Sequence, residues 1–474
     1  MTRNYMDGDT ITAIATPLGS SGIGIIRISG DKAADIVHTL FCTDKSCRPG
    51  ERPTALDRSV SHHLQHGYIF DPATQGIIDE VLLVIMKAPR SYTREDVVEI
   101  QSHSGPIIMR RILELVVNGG ARMATPGEFT RRAFLNGRID LSQAEAVGEV
   151  ISARSEDALK LAVTHLTGHM KDAISALLDI ITGLQVELEA GLEFADELPN
   201  HEIDGAGIEV LIRDKLIRPI QKLLSHYSEG YILRDGVRLG ITGRPNVGKS
   251  SLLNYLIRKD KAIVTPLPGT TRDLIEDSIS IDGLPVILTD TAGLHSAQDP
   301  VEIIGIQKTR ENIQQADLIL FMIDGSQPFV EADDRAFEHI GDKKIILIIN
   351  KLDLVPDPLI VRIPEAYSDY PRVFVSAKFG QGIDQLKETI RDEVLGKVSI
   401  EPGRSLVPTL RQKIELESAL EALQRVQENL RLHSGEEFVL IDLGLAKEAL
   451  NEIIGREYGA DLLDEIFGRF CIGK

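Results

Sequence analysis

Gly243-Arg244-Pro245-Asn246-Val247-Gly248-Lys249-Ser250 is the stretch from which the fold of this chain is read. It matches G-x-x-x-x-G-K-S, a phosphate-binding loop. The apolar run Val237 to Ile241 precedes it and predicts a buried strand. Ser251 to Ile257 follows and predicts a helix. That strand–loop–helix order is the context the motif requires. The glycines let backbone N–H groups turn onto phosphate oxygens, and the helix N-terminus adds the positive end of its dipole. Lys249 would reach the terminal phosphates, and the Ser250 hydroxyl would ligate Mg²⁺. The blander reading, a glycine-rich turn before an ordinary helix, leaves that context unexplained.

Moving toward the C-terminus, Thr265-Pro266-Leu267-Pro268-Gly269-Thr270-Thr271 fits the first switch of a GTPase. There a Thr hydroxyl joins Mg²⁺ when the γ-phosphate is present. Glu276 to Ile281 and Pro285 to Leu288 predict a hairpin around Asp282-Gly283. It leads to Asp290-Thr291-Ala292-Gly293, where Asp290 would hold Mg²⁺ through water and the Gly293 N–H would sense the γ-phosphate. Asp317 to Ile323 and Lys344 to Ile349 are strand-like, and the second delivers Asn350-Lys351-Leu352-Asp353. A carboxylate at Asp353 accepts two hydrogen bonds from guanine N1–H and N2–H₂, a pair adenine does not offer. Val373 to Val375 leads to Ser376-Ala377-Lys378, whose Ala377 N–H would meet guanine O6. Each word alone is weak; five in this order, each at a strand end, point to GTP. The expected nucleotide contacts begin at Asn246, Val247, Gly248, Lys249, Ser250 and Ser251 and end at Lys378.

Two departures from a Ras-like site stand out. Leu294 follows Gly293 where a water-orienting Gln is usual, so another group must orient the attacking water. Asn246 lies inside the phosphate loop, and its side-chain oxygen suits a monovalent cation completed by carbonyls of the Thr265–Thr270 loop. Such an ion would stand where an arginine finger stabilises developing charge. The alternative is that Asn246 only caps the loop.

A chain of 474 residues suggests about three domains. With 52 Lys and Arg against 71 Asp and Glu, the formal charge is −19, which argues against nonspecific nucleic-acid binding by charge alone. Cys42, Cys47 and Cys471 form neither a zinc pattern nor a disulfide framework. No run of about eighteen apolar residues suggests a membrane span, and the N-terminus lacks a signal-peptide core. A soluble, reducing, cytoplasmic setting is expected.

Thr10 to Thr16, Ile25 to Gly30, Asp79 to Met86 and Asp96 to Gln101 read as strands, and Pro106 to Asn118 as a helix ended by Gly119-Gly120. Gly19 to Gly24 reads as a turn, because a strand follows it. Arg27 interrupts an apolar strand: it is either an edge residue facing solvent or a cation in an anion pocket. Glu99 poses the same question with opposite charge. Thr125-Pro126-Gly127-Glu128 resembles a capping box. Helical spacing then runs through Phe129–Asn136, Leu141–His165, Met170–Phe194 and Ile208–Tyr231, and resumes over Leu406–Leu432, Phe438–Tyr458 and Asp461–Phe470. The expected fold is an α+β N-terminal domain (1–125), an all-α helical domain formed by two sequence segments (126–236 and 397–474), and an inserted α/β Ras-like P-loop GTPase domain (237–396).

Gly243 to Ser251, Thr265 to Asp273, Asp290 to Leu294, the stretch Phe129 to Leu141, the opening Thr10 to Gly30 and the final Cys471-Ile472-Gly473-Lys474 together resemble the MnmE (TrmE) family of tRNA-modification GTPases. The resemblance covers essentially the whole chain. It implies a homodimer joined through N-terminal domains that bind 5-formyl-tetrahydrofolate, and a K⁺-dependent GTPase domain inserted in a helical domain. It implies a heterotetramer with the flavoprotein MnmG (GidA), which carries the FAD. Together they would modify C5 of the wobble uridine of certain tRNAs, with no membrane involved. Carried over by residue, Arg27, Glu99, Arg138 and Lys474 match folate contacts. Asn246, Thr265, Leu267 and Thr270 match the K⁺ site, and Ser250 and Thr271 match the Mg²⁺ ligands. Glu302 matches a water-orienting carboxylate, and Cys471 a cysteine tied to the modification. The rival class is a ribosome- or RNA-associated GTPase assembly factor, but no basic RNA-binding domain is apparent outside the module.

Overall fold

A computed structural model describes residues 8–17, 19, 21–45, 60–193, 205–260, 278–288, 313–355, 363–396, 401, 403 and 405–474. They fall into two compact units. One takes the described residues up to Gly148 together with Ile454–Lys474, and the other takes those between Glu149 and Ile453.

The first unit is built on seven strands: β1 (Ile11–Ile14), β2 (Gly24–Ser29), β3 (Phe41–Cys42), β4 (Leu64–Phe70), β5 (Ile77–Met86), β6 (Val97–Ser102) and β7 (Arg122–Met123). Their order is β3-β4-β5-β6-β2-β1-β7, antiparallel except for β1 beside β7. Period two sorts β2 and β6 by face. Ile26, Ile28, Val98 and Ile100 are buried in one core with Met109, Ile112 and Val116 of the helix Pro106–Asn118. Arg27 and Glu99 alternate with those apolar residues and are cross-strand partners. Arg27 therefore stands in the middle of the sheet, and the edge reading is overturned. Phe129 of the helix Glu128–Leu135 packs with Ile11 and Ala13 of β1. Phe134 of the same helix packs with Leu463 and Phe467 of the C-terminal helix Ala460–Gly468.

Thr125 is not the helix cap; Gly127 holds that position in a left-handed conformation. The Glu128 side chain still accepts from the Thr125 N–H at 2.8 Å, but its main partners are arginines. Cys42 is disulfide-bonded, with its partner outside the described residues. Pairing depends on spatial approach, which sequence spacing alone does not reveal, so cysteine usage gives no argument for a reducing setting.

In the second unit the helices Glu156–Leu166, His169–Glu193, Leu410–Leu432 and Glu436–Ile454 accompany a helical stretch over 205–235, in which Ile212–Ile217 has π-type geometry. Leu184 and Leu188 are buried, whereas Leu192 is exposed, so the apolar stripe stops short of the helix end. The nucleotide module is a six-stranded sheet of β8 (Val237–Thr242), β9 (Ser278–Ile281), β10 (Leu284–Leu288), β11 (Leu318–Asp324), β12 (Lys344–Asn350) and β13 (Arg372–Phe374). The order is β13-β12-β11-β8-β10-β9, parallel throughout except at β9. Every residue of β11 is buried, and so is every residue of β12 after Lys344, as expected of strands covered on both faces. No helix among the described residues is long and apolar enough to cross a membrane.

Candidate functional site

Parallel strands end together, so the residues just past them share one rim, where α/β sheets bind ligands. After β8 the chain makes the loop 243–248 and enters the helix Lys249–Asp260. Gly248 has φ +107, and a Cβ there would lie 2.2 Å from the Asn350 side-chain nitrogen, so this position demands glycine. Lys249 Nζ donates to the Gly243 and Arg244 carbonyls, each at 2.7 Å, so the ammonium already lies inside the loop. The Arg244 guanidinium pairs with the buried Asp333 at 2.5 Å. Asn246 has left-handed backbone, φ +62.

Asn350, at the end of β12, joins two loops. Its Nδ2 donates to the Val247 carbonyl at 2.7 Å, and its Oδ1 accepts from the Ala377 N–H at 3.0 Å. That N–H, expected to meet a guanine O6, is thus engaged by Asn350 here. Asp353 Oδ1 accepts from the Ser376 hydroxyl at 2.6 Å, which aims the carboxylate. Lys351 Nζ pairs with Asp324 at 2.6 Å, and the Lys378 ammonium lies 5.1 Å from the Phe379 ring centroid. Ser250 and Ser251, in the first helical turn, are exposed. The structure therefore brings the phosphate loop, Asn350, Lys351, Asp353, Ser376 and Ala377 to one rim. Thr265, Pro266, Leu267, Pro268, Gly269, Thr270, Thr271, Asp290, Thr291, Ala292, Gly293, Leu294 and Glu302 lie outside the described residues. Sequence reasoning missed Asp324, Asp333 and the role of Arg244; the only signal for Asp324 was an acid closing an apolar strand.

A second group forms in the first unit. Arg27 Nε and Nη2 meet Glu99 Oε1 at 2.9 and 2.8 Å, with both side chains mostly shielded. Arg27 Nη1 also donates to the Gly473 carbonyl at 3.1 Å, which brings the end of the chain to the sheet. The Arg27 guanidinium lies 5.7 Å from the ring centroids of both Tyr92 and Phe129, and Arg138 lies 4.9 Å from that of Tyr92. Tyr92 is held by a hydrogen bond between its hydroxyl and that of Thr130 at 2.9 Å. Arg27, Glu99 and Arg138 are thus gathered around one aromatic wall, with Cys471 and Lys474 on the same terminal segment as Gly473. A carboxylate, two guanidinium groups and aromatic faces suit a flat heterocycle bearing N–H donors and an anionic tail.

Residues 10–138 match the family model of the GTP-binding protein TrmE N-terminus, and residues 141–471 match that of the MnmE helical domain. The chain is 43% identical to the tRNA modification GTPase MnmE of Syntrophus aciditrophicus, covering 98% of this chain and 99% of the relative. It is 42% identical to the protein of that name from Carboxydothermus hydrogenoformans, with the same coverage. A solved structure of Aquifex aeolicus Era is 25% identical over 39% of this chain and 66% of that one, with a TM-score of 0.26, a likeness too slight to bear on the fold.

Proposed function

The chain belongs to the MnmE family of tRNA-modification GTPases, and on that premise we propose a K⁺-dependent GTP hydrolase that modifies C5 of the tRNA wobble uridine. This is a GTPase that takes part in tRNA modification. The observation that supports the nucleotide half of this reading is the braced rim in which Asn350 ties the phosphate loop to Ala377 and Ser376 aims Asp353.

Lys249 leaves its two carbonyl partners to meet the terminal phosphates. Asp353 reads guanine N1–H and N2–H₂. Water attacks the γ-phosphorus in line, the bond to the β–γ bridging oxygen breaks, and GDP and phosphate leave. Glu302 orients that water in place of the missing Gln. Asn246 fits a cation ligand, since among the described residues its side chain makes no hydrogen bond and its backbone is already turned. With carbonyls of Thr265, Leu267 and Thr270 it would hold K⁺, which supplies positive charge beside the phosphates. Ser250 and Thr271 would ligate Mg²⁺.

Arg27, Glu99, Arg138 and Lys474 would hold 5-formyl-tetrahydrofolate, the source of the one-carbon unit. Cys471, on the same terminal segment as Gly473, would be a candidate participant in the modification. The product is an aminomethyl- or carboxymethylaminomethyl-uridine at position 34 of certain tRNAs. The working assembly is a cytoplasmic homodimer joined to a flavoprotein, MnmG (GidA), that carries FAD. Nucleoside analysis of tRNA from cells lacking this chain tests the reading. Loss of the C5 substituent at the wobble position is expected, and its full retention would overturn the reading. Turnover should drop sharply when Na⁺ replaces K⁺; equal rates would remove the cation from the mechanism.

A further inference from the structure

We propose that Asp324 is a positioning residue for guanine recognition: its carboxylate holds Lys351, and through it the 350–353 loop, in the shape that meets the base. The inference rests on reading that loop as the base site.

Asp324 is the last residue of β11 and lies opposite Asn350 in the parallel register, so the residue after Asn350 falls beside it. Its Oδ2 accepts from Lys351 Nζ at 2.6 Å. Its Oδ1 accepts from the Ser326 N–H at 3.0 Å and the Ser326 hydroxyl at 2.6 Å, which fixes the carboxylate itself. Asp324 is only 6% exposed, so water competes little for it. Lys351 has φ +67, the left-handed region that a residue with a side chain adopts only when its surroundings hold it there. The residues around it carry separate duties: Asn350, just before it, braces the phosphate loop, and Asp353, two positions after it, presents its carboxylate. Relaxation of the Lys351 backbone would turn the peptide between them and move Asp353 off the base. Among the described residues the one ion pair of Lys351 is with Asp324. Burial alone would raise the Asp324 pKa, but hydrogen bonds from Lys351 and Ser326 outweigh it and keep the group ionised.

The test is stopped-flow release of a fluorescent GDP analogue from the full-length protein. A charged hydrogen bond of this kind corresponds to about tenfold in rate, so D324N and K351M should each release GDP about tenfold faster. The double variant D324N/K351M should release it no faster than K351M, because Asp324 acts through Lys351. Wild-type release from D324N, or independent effects that multiply in the double variant, would overturn the proposal. S326A, which loosens the carboxylate without removing it, should accelerate release roughly threefold. If D324N does not fold, wild-type release from S326A overturns the proposal instead. D353N separates this inference from its premise by exchanging guanosine for xanthosine nucleotides. If D353N fails to switch, the base-site reading falls and the proposal with it. If it switches while D324N behaves as wild type, only the role of Asp324 falls.

Discussion

A single hydrogen atom decides whether the chain can end where it does. Gly473 has φ +96, and a Cβ there would lie 2.6 Å from the Ile14 carbonyl oxygen and 2.9 Å from Ala15 Cα. Gly473→Ala should therefore lift the terminal segment off the sheet, at a cost of about 1–3 kcal/mol. On the proposed folate reading, folate affinity measured by calorimetry is expected to fall about tenfold or more, and unchanged affinity would detach the terminus from that site. Glu128 is the second residue of this kind. Burial pushes its carboxyl upward, but hydrogen bonds from Arg122 and the Thr125 N–H, with the Arg122 and Arg132 charges, hold it at about 2 against an ordinary 4.5. The folded pKa is the lower one, so the contribution is complete above pH 4.5 and is lost as pH falls toward 2. It amounts to about 3 kcal/mol. Glu128→Gln should destabilise the protein by about that much at pH 7 and flatten the acid limb of its stability curve; a parallel curve would exclude the linkage.

At the scale of elements, apolar spacing predicted one continuous run from Leu141 to His165, yet the structure makes two helices, Leu141–Ser152 and Glu156–Leu166. Ser155 takes extended backbone and accepts from the Ala158 N–H, so a cap starts the second helix where periodicity ran on. That helix carries His165 inward, where neither ring nitrogen has a hydrogen-bond partner. Glu149 is 3.7 Å from Nδ1, and Arg234 also faces the ring. Burial first, then the Arg234 charge, lowers the His165 pKa from 6.5 to about 4. The fold favours the neutral ring, so its contribution is complete above pH 6.5 and declines as pH falls toward 4. Between pH 7 and pH 5 the protein should lose about 2 kcal/mol through this residue. His165→Leu should remove that slope in denaturant titrations at the two pH values; an unchanged slope would assign the pH response elsewhere. Strand legibility followed burial. The apolar runs of β11 and β12 were read to within a residue, and the helix Pro106–Asn118 was read exactly as it stands. The two-residue β3 and β7 were too short to show a period. In β4, Leu64-Gln65-His66-Gly67-Tyr68-Ile69-Phe70, His66 and Gly67 break the alternation.

At the scale of the whole molecule, Gly473 meets Arg27 across 446 positions of sequence. The compact unit that begins the chain is completed by its last residues, while the nucleotide rim lies in the other unit. Deleting residues 471–474 should abolish the proposed folate binding and wobble modification while GTP affinity stays at the wild-type value. Titration of both ligands checks this, and a parallel loss of GTP affinity would contradict it.

The sequence by itself determined the phosphate loop, the guanine-reading words and the alternation of helical and nucleotide modules, because these rest on contiguous spacing and on periods of two and 3.6 residues. Tertiary structure alone decided that Arg27 is a shielded cation paired with Glu99 rather than an edge residue, since strand register joins positions 72 apart. It alone placed Asp324 beneath Lys351 and Asp333 beside Arg244. Local pattern records which face a residue occupies, whereas its partner across the sheet is chosen by how separate strands align, and no short window of sequence contains that alignment.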